Sequence, residues 1–117
     1  MFTLLCIDDD LTALYIRRLV LERAGYFVLY AGDARTAVEI FTDTHVDLVL
    51  SDHFLQETTG MEMAAEMKRL KPNVPIAILS GAVDPPEGVL LHADLFLSKT
   101  ETPQTVLQKI AELLNRG

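Results

Sequence analysis

The sequence has little of what marks a secreted or membrane protein. Cys6 is its only cysteine, so no disulfide can form within the chain, and the apolar neighbours of Cys6 predict a buried thiol. No apolar run approaches the roughly 20 residues needed to cross a bilayer, so we expect no membrane partner. The first apolar stretch meets three aspartates too soon for a secretory signal, which predicts a cytoplasmic protein.

Positive charge is also scarce. The 117 residues contain 10 Lys and Arg against 17 Asp and Glu, a formal net charge of −7. This balance argues against direct binding to nucleic acid, whose phosphates need basic side chains. Two short basic groups, one around Arg17, Arg18 and Arg23 and one from Lys68 to Lys71, are therefore interpreted as solvated helix faces or partner contacts.

Half of the residues are hydrophobic, and the length predicts one domain over residues 1–117. Many of the apolar residues fall in short runs that predict strands. Four of these runs are apolar enough to be buried on both faces, as a parallel sheet between two helical layers requires. The predicted strands span residues 3–7, 26–30, 47–50, 75–79 and 95–97.

Helical spacing fills the gaps between the runs, which predicts an α/β doubly wound fold with helices on both faces. Gly25 is predicted to end the first helix, Asp33 to cap the second, and Thr102 with Pro103 to open the last. Prolines at 85 and 86 leave room for only a short helix after the fourth strand. The predicted apolar faces are Ala13, Ile16, Val20 and Ala24 in the first helix, Ala37, Ile40 and Phe41 in the second, Met63, Met67 and Leu70 in the third, and Val106, Ile110, Leu113 and Leu114 in the last.

Polar residues follow four of the predicted strands. Asp8 to Asp10 follow the first, Asp52 the third, Ser80 the fourth and Lys99 the fifth. In an open parallel sheet these strand ends share one edge, where ligands bind. Crowded carboxylates need a cation, and oxygen ligands favour Mg²⁺, while a lysine opposite them suits an incoming phosphoryl group. The pattern indicates phosphoryl transfer to a carboxylate.

The sequence resembles the receiver domains of two-component response regulators over essentially its whole length. The resemblance is carried, in order, by LLCIDDD, DLVLSD, Gly60 eight residues after Asp52, AILSG and ADLFLSK. It implies a flavodoxin-like strand order 2-1-3-4-5, here with a shortened fourth helix. It also implies a signalling domain rather than an enzyme with turnover.

The resemblance further implies roles for individual residues. Asp52 would accept phosphate from a sensor histidine kinase, a phosphotransfer protein or a small acyl phosphate. Asp8, Asp9, Asp52 and the backbone carbonyl of Phe54 would hold Mg²⁺, and Lys99 would neutralise the phosphoryl group. Ser80 and the aromatic Phe96 would switch a surface read by a downstream protein of unknown identity. A monomer or weak dimer is expected.

Some positions depart from the family pattern. Gln56 and Thr100 stand where most receivers have proline, so we expect a trans Lys99–Thr100 peptide bond. Neither Phe54 nor Ala82, which would flank an attacking water, offers an acid or amide, and this predicts slow hydrolysis of the phosphorylated form.

Two other functions stay open on the sequence alone. The run Asp8 to Thr12 also fits a haloacid-dehalogenase-like phosphatase, with Asp8 as nucleophile and Asp10 as acid and base. That family, however, needs a further acidic pair and would leave Asp52 without a role. Alternatively, the chain is a pseudo-receiver that docks partners without taking phosphate. The residues also have structural readings, with Asp8 to Asp10 as a helix cap, Asp52 in a turn and Lys99 solvated.

Overall fold

The sheet of this protein has five parallel strands in the order β2-β1-β3-β4-β5. The structure is a computed structural model and describes residues 1–81 and 92–116. The strands are β1 Thr3–Ile7, β2 Phe27–Ala31, β3 Leu48–Asp52, β4 Ile76–Ser80 and β5 Leu95–Ser98. The helices are α1 Leu11–Arg23, α2 Ala34–Asp43, α3 Gly60–Leu70 and α4 Pro103–Leu114. The short helix expected around Pro85 lies outside the described residues.

Two apolar cores lie on opposite faces of the sheet, as expected for helices on both sides. Successive residues of a strand point to opposite faces, so Leu5 and Ile7 join one core while Leu4 and Cys6 join the other. The first core is closed by α2 and α3, and the second by α1 and α4. Burial raises the pKa of the Cys6 thiol to about 12, so this group is an inert part of the core.

The helix ends follow the predicted capping chemistry. Asp33 accepts a hydrogen bond from the backbone N–H of Thr36, and Thr102 accepts one from Thr105 with Pro103 as the first helical residue. Gly25 follows the last turn of α1 with φ +97°, a left-handed conformation that glycine adopts without steric cost. These three local predictions are confirmed.

The predicted buried face of α1 is wrong at two of its four positions, and the other two are half-buried. Leu14 and Leu21 are its buried residues, whereas Ile16 is 57% exposed and Ala24 is also exposed. Arg17 lies between those two leucines on the same face of the helix, because it has a buried acidic partner. The true buried face includes the charged residue Arg17. A pattern of apolar residues alone therefore places this face one position too early in the sequence.

Smaller differences concern the strands and α3. Three strands, β1, β3 and β4, are almost wholly buried, rather than four, because β2 and β5 form the edges of the sheet. β3 and β4 begin one residue later than predicted and extend through Asp52 and Ser80. Leu70 is 38% exposed and Ala64 is buried in its place. No helix in the described ranges is long and apolar enough to span a bilayer.

The basic group at the end of α3 is not simply solvated. Lys68 lies 2.6 Å from a carboxylate oxygen of Asp94 and also donates to the carbonyl of Val74. Lys71 donates to the carbonyl oxygens of Phe41 and Thr44, at the end of α2. These two lysines stabilise connections within the fold.

Candidate functional site

The carboxyl ends of β1, β3, β4 and β5 bring the predicted polar residues to one edge of the sheet. The register pairs Ile7 with Ser51 across β1 and β3, and Ser80 with Ser98 across β4 and β5. Residues that directly follow these strands therefore meet at the same level. This edge is the place where parallel α/β sheets bind ligands.

An acidic cluster forms at this edge. Asp8, Asp9 and Asp52 each offer a carboxylate oxygen, and these oxygens all lie within 4.8 Å of one another. Asp8 and Asp52 are buried, at 1% and 7% exposure, while Asp9 is exposed to solvent. Three hard oxygen donors at this spacing fit a divalent cation such as Mg²⁺, which prefers carboxylates and completes its shell with water.

Lys99 faces the same cluster. Its Nζ lies 2.7 Å from Oδ1 of Asp52, and the side chain is 41% exposed. The pair is therefore open to solvent on the lysine side, and the ammonium can contact an anion that arrives at Asp52. The predicted meeting of Asp9, Asp52 and Lys99 on one side of the molecule is confirmed by these distances.

The loop after β5 holds Lys99 in place. The backbone N–H of Lys99 donates to the carbonyl of Ser80 at 2.7 Å. Glu101 accepts the N–H of Ser98 at 2.8 Å and forms an ion pair with Lys109 of α4. The hydrogen bond from Lys109, followed by that from Ser98, holds the pKa of the Glu101 carboxyl below its usual range.

Thr100, which stands where most receivers have proline, is held in this loop by hydrogen bonds. Its hydroxyl is hydrogen-bonded to the hydroxyl of Ser98 at 2.8 Å, and its N–H also donates to Ser98 Oγ. No peptide bond in the described part of the chain is cis, so the Lys99–Thr100 bond is trans, as predicted.

Gly60 fixes the backbone that follows Asp52. Its N–H donates to the carbonyl of His53 at 2.5 Å, and a Cβ at this position would lie 2.7 Å from the carbonyl oxygen of Asp52. The N–H of His53 in turn donates to Leu79 of β4 at 2.9 Å. Only a residue without a Cβ allows α3 to begin this close to the end of β3.

The other predicted site residues lie in or just after β3, β4 and β5. Phe54 is the second residue after β3, its backbone forms an isolated bridge with Thr59, and its side chain is 68% exposed. Ser80 is buried at the end of β4. Phe96 is half-buried in β5 and packs against the core that α2 and α3 close. The carbonyl of Phe54 as a ligand, and the switching of Ser80 and Phe96, stay predictions.

Asp10 does not join the cluster. It is the N-cap of α1, and its carboxylate accepts the backbone N–H groups of Thr12 and Ala13 at 3.0 and 3.2 Å. A carboxylate that is used in this way is poorly placed to act as the acid and base of a phosphatase. The capping interpretation therefore describes Asp10, but not Asp8 or Asp9.

Arg17 is the residue at the site that the sequence analysis missed. Its guanidinium Nη1 lies 3.1 Å from Oδ2 of Asp8, and its side chain is only 14% exposed. The interpretation of its basic group as a solvated face is therefore wrong at this position. Arg18 is also part-buried, with its guanidinium 4.5 Å from the centre of the Tyr30 ring.

The family described as response regulator receiver domain matches residues 4–111, nearly the whole chain. The chain belongs to this family. A receiver domain is a signalling module whose own chemistry is limited to phosphorylation and dephosphorylation of itself, and members typically bind Mg²⁺ at an acidic pocket.

Individual relatives agree with the family assignment. The phosphate regulon transcriptional regulatory protein PhoB of Pseudomonas aeruginosa is 29% identical over 97% of this chain. A receiver domain protein from Clostridium thermocellum has a TM-score of 0.91 and 30% identity, covering 99% of this chain and 96% of that one. The receiver domain thus has both the fold and the sequence relatives of response regulators.

A further structure shares the fold at lower identity. TrrA of Thermotoga maritima, solved in complex with Mg²⁺ and BeF, has a TM-score of 0.91 and 23% identity, with coverage of 97% of this chain and 99% of that one. Receiver domains pair with histidine kinases and downstream effectors. The chain spans about half the length of PhoB, 52%.

Proposed function

We propose that this receiver domain accepts a phosphoryl group on Asp52, with Mg²⁺ bound, and thereby switches a surface read by another protein. The observation that carries the proposal is the position of the buried Asp52 carboxylate, which lies within 4.8 Å of carboxylate oxygens of Asp8 and Asp9 and 2.7 Å from the ammonium of Lys99. The donor would be the phosphohistidine of a sensor histidine kinase or phosphotransfer protein. Residues 1–117 would act as one domain, as a monomer or weak dimer.

Asp8, Asp9, Asp52 and the carbonyl of Phe54 would hold the metal. The spacing of the three carboxylate oxygens, within 4.8 Å, supports this assignment because one ion can contact all three. When bound, Mg²⁺ supplies positive charge that offsets the charge of the phosphoryl oxygens. Asp9 is the exposed member of the set and would leave one side of the site open to water and phosphate.

The transfer step uses Asp52 and Lys99. A carboxylate oxygen of Asp52 forms a bond to phosphorus as the P–N bond of the phosphohistidine breaks, and the departing imidazole keeps the electron pair. Lys99, now 2.7 Å from Asp52, would move its contact to a phosphoryl oxygen without leaving the site. Hydrolysis later returns Asp52 to the carboxylate.

The switch would involve Ser80 and Phe96. Ser80 lies at the end of β4, and its partner across the ladder is Ser98, directly before Lys99. Its hydroxyl would hydrogen-bond a phosphoryl oxygen, and Phe96 would then repack between β5 and its neighbours. Phe96 is half-buried, so a change in its rotamer would alter the surface as well as the core.

The test is phosphorylation of the receiver domain by acetyl phosphate with MgCl₂, read by intact mass. We expect the gain of one phosphoryl group in the wild type and none in Asp52→Asn. Asp43→Asn is the matched control, because Asp43 is an exposed acid at the end of α2, away from the cluster. No gain in the wild type, or an equal gain in Asp52→Asn, would contradict the proposal.

The two rival functions give other outcomes. Continued turnover of a phosphate ester, lost in Asp10→Asn, would indicate a phosphatase; the capping role of Asp10 leads us to expect none. Binding of a partner that is equal for wild type and Asp52→Asn, with no phosphoryl gain, would indicate a pseudo-receiver.

A further inference from the structure

One side chain next to the proposed metal site has no role in the proposed phosphoryl transfer. Arg17 projects from the middle of α1 and its Nη1 lies 3.1 Å from Oδ2 of Asp8. The other oxygen, Oδ1, accepts the backbone N–H of Asp10 at 2.9 Å. Both oxygens of this buried acid therefore already have protein partners.

We propose that Arg17 is a built-in counter-cation that stabilises the receiver domain without metal and weakens its affinity for Mg²⁺. This inference rests on the proposed function, because it concerns the same metal site. Arg17 would be a positioning residue. It acts on the site through Asp8 and contacts neither substrate nor the transferred group.

The charges of the site support this role. The three acids carry −3 when ionised, and Lys99 and Arg17 together return +2. Without Arg17, the buried Asp8 would have no cationic partner among the side-chain contacts of the described residues. A guanidinium stays charged throughout the accessible pH range, so this compensation is permanent.

The Arg17 side chain has little freedom to move away from Asp8. It lies on the buried face of α1 between Leu14 and Leu21, and its side chain is 14% exposed, whereas that of Lys99 is 41% exposed. The apolar stem is therefore packed, and moving it into water would expose that surface. A divalent ion bound to Asp8 would therefore lie close to this fixed positive charge.

The repulsion is large enough to measure. A single and a double charge a few ångströms apart repel, even at the dielectric constant of water, by an energy equivalent to roughly tenfold in affinity. Partial burial strengthens the effect. Conversely, removing Arg17 leaves Asp8 buried without its counter-ion, which destabilises the metal-free fold.

The experiment is calorimetric titration of the receiver domain with MgCl₂. Arg17→Met removes the charge and keeps an apolar stem, and we expect it to bind Mg²⁺ about tenfold more tightly than the wild type. Arg17→Lys restores the charge and is expected to return towards wild-type affinity. Arg18→Gln is the matched control, because Arg18 is the next residue of α1 and pairs with Glu22 instead; its affinity should be unchanged.

A second measurement, urea unfolding, keeps the test decisive if Arg17→Met proves unstable without metal. Urea unfolding at several MgCl₂ concentrations should show Arg17→Met less stable than wild type in the absence of Mg²⁺ and more strongly stabilised by it. Equal or weaker Mg²⁺ binding by Arg17→Met, with wild-type binding intact, would overturn this inference and leave the metal site in place. Absence of binding in every variant would overturn the metal site and this inference together.

Discussion

Gly60 offers the sharpest test of how the fold positions Asp52. In Gly60→Ala, the new Cβ would lie 2.7 Å from the carbonyl oxygen of Asp52, 3.0 Å from Cδ1 of Ile78 and 3.2 Å from Cα of His53. Two of these atoms are backbone atoms, so the conflict cannot be relieved by rotating a side chain. Either the end of β3 or the start of α3 must move.

The size of the effect follows from two opposing contributions. Overpacking a well-filled region costs about 1–3 kcal/mol. Replacing glycine by alanine in a helix returns at most about 1 kcal/mol, and less at the first residue. We therefore expect Gly60→Ala to lower the free energy of unfolding by about 1–2 kcal/mol. The shift of the Asp52 backbone should also weaken binding of beryllofluoride with Mg²⁺.

Urea unfolding followed by far-UV circular dichroism measures the change, since the chain has no tryptophan for fluorescence. Gly81→Ala is the matched control, because a Cβ there would meet nothing within 4 Å. If Gly60→Ala unfolds at the same urea concentration as Gly81→Ala and wild type, then the close approach of α3 to β3 does not constrain Asp52 as argued.

Three further predictions concern other parts of the molecule. Phe54→Glu should shorten the lifetime of the phosphorylated form, because a carboxylate can orient the attacking water. Phe54→Leu should not shorten it, and equal decay of the two variants in a phosphate-release assay would contradict this prediction. Glu101→Gln should lose about 1 kcal/mol at pH 7. Because the pKa of Glu101 is lowered in the fold, its stabilisation is fully present above the ordinary carboxyl pKa of the unfolded chain and is lost as the pH falls through the lower folded value. The deficit of Glu101→Gln in urea unfolding should thus shrink in acid, and a constant deficit would show that ionisation is not its cause. Thr102→Ala removes the N-cap of α4 and should cost about 1 kcal/mol in a thermal melt, where an unchanged Tm would refute the capping argument.

Local chemistry made much of this fold predictable. A capping residue acts on N–H groups two or three positions away, so Asp33 and Thr102 could be identified without knowing the tertiary structure. The acids after β1 and at the end of β3 and the lysine after β5 could be placed together, because parallel strands end at a common edge. These arguments need only the order of strands and turns.

The features that could not be predicted depend on distant contacts. From the sequence alone, Arg17 is expected at the surface, because nothing shows that Asp8 lies next to it. Once Arg17 faces Asp8, the neighbouring Ile16 points to solvent. Lys71 donates to Phe41, a contact that joins the ends of two different helices. A hydrophobic pattern counts apolar side chains, so it misplaces a helix face whenever a buried ion pair occupies that face.

The two cations at the site are suited to different tasks because they are held differently. Lys99 stands on a loop pinned through its own N–H to Ser80, and 41% of its side chain is exposed, so its ammonium can transfer from Asp52 to an arriving anion. Arg17 is packed within α1 and keeps its contact with Asp8. Removing Lys99 should therefore impair both the retention of the phosphoryl group and the switching that follows it. Removing Arg17 should instead alter the affinity for metal and the stability of the metal-free fold. The same net change in charge at the two positions would have distinct consequences, because one cation is partly exposed to solvent and the other is largely buried on α1.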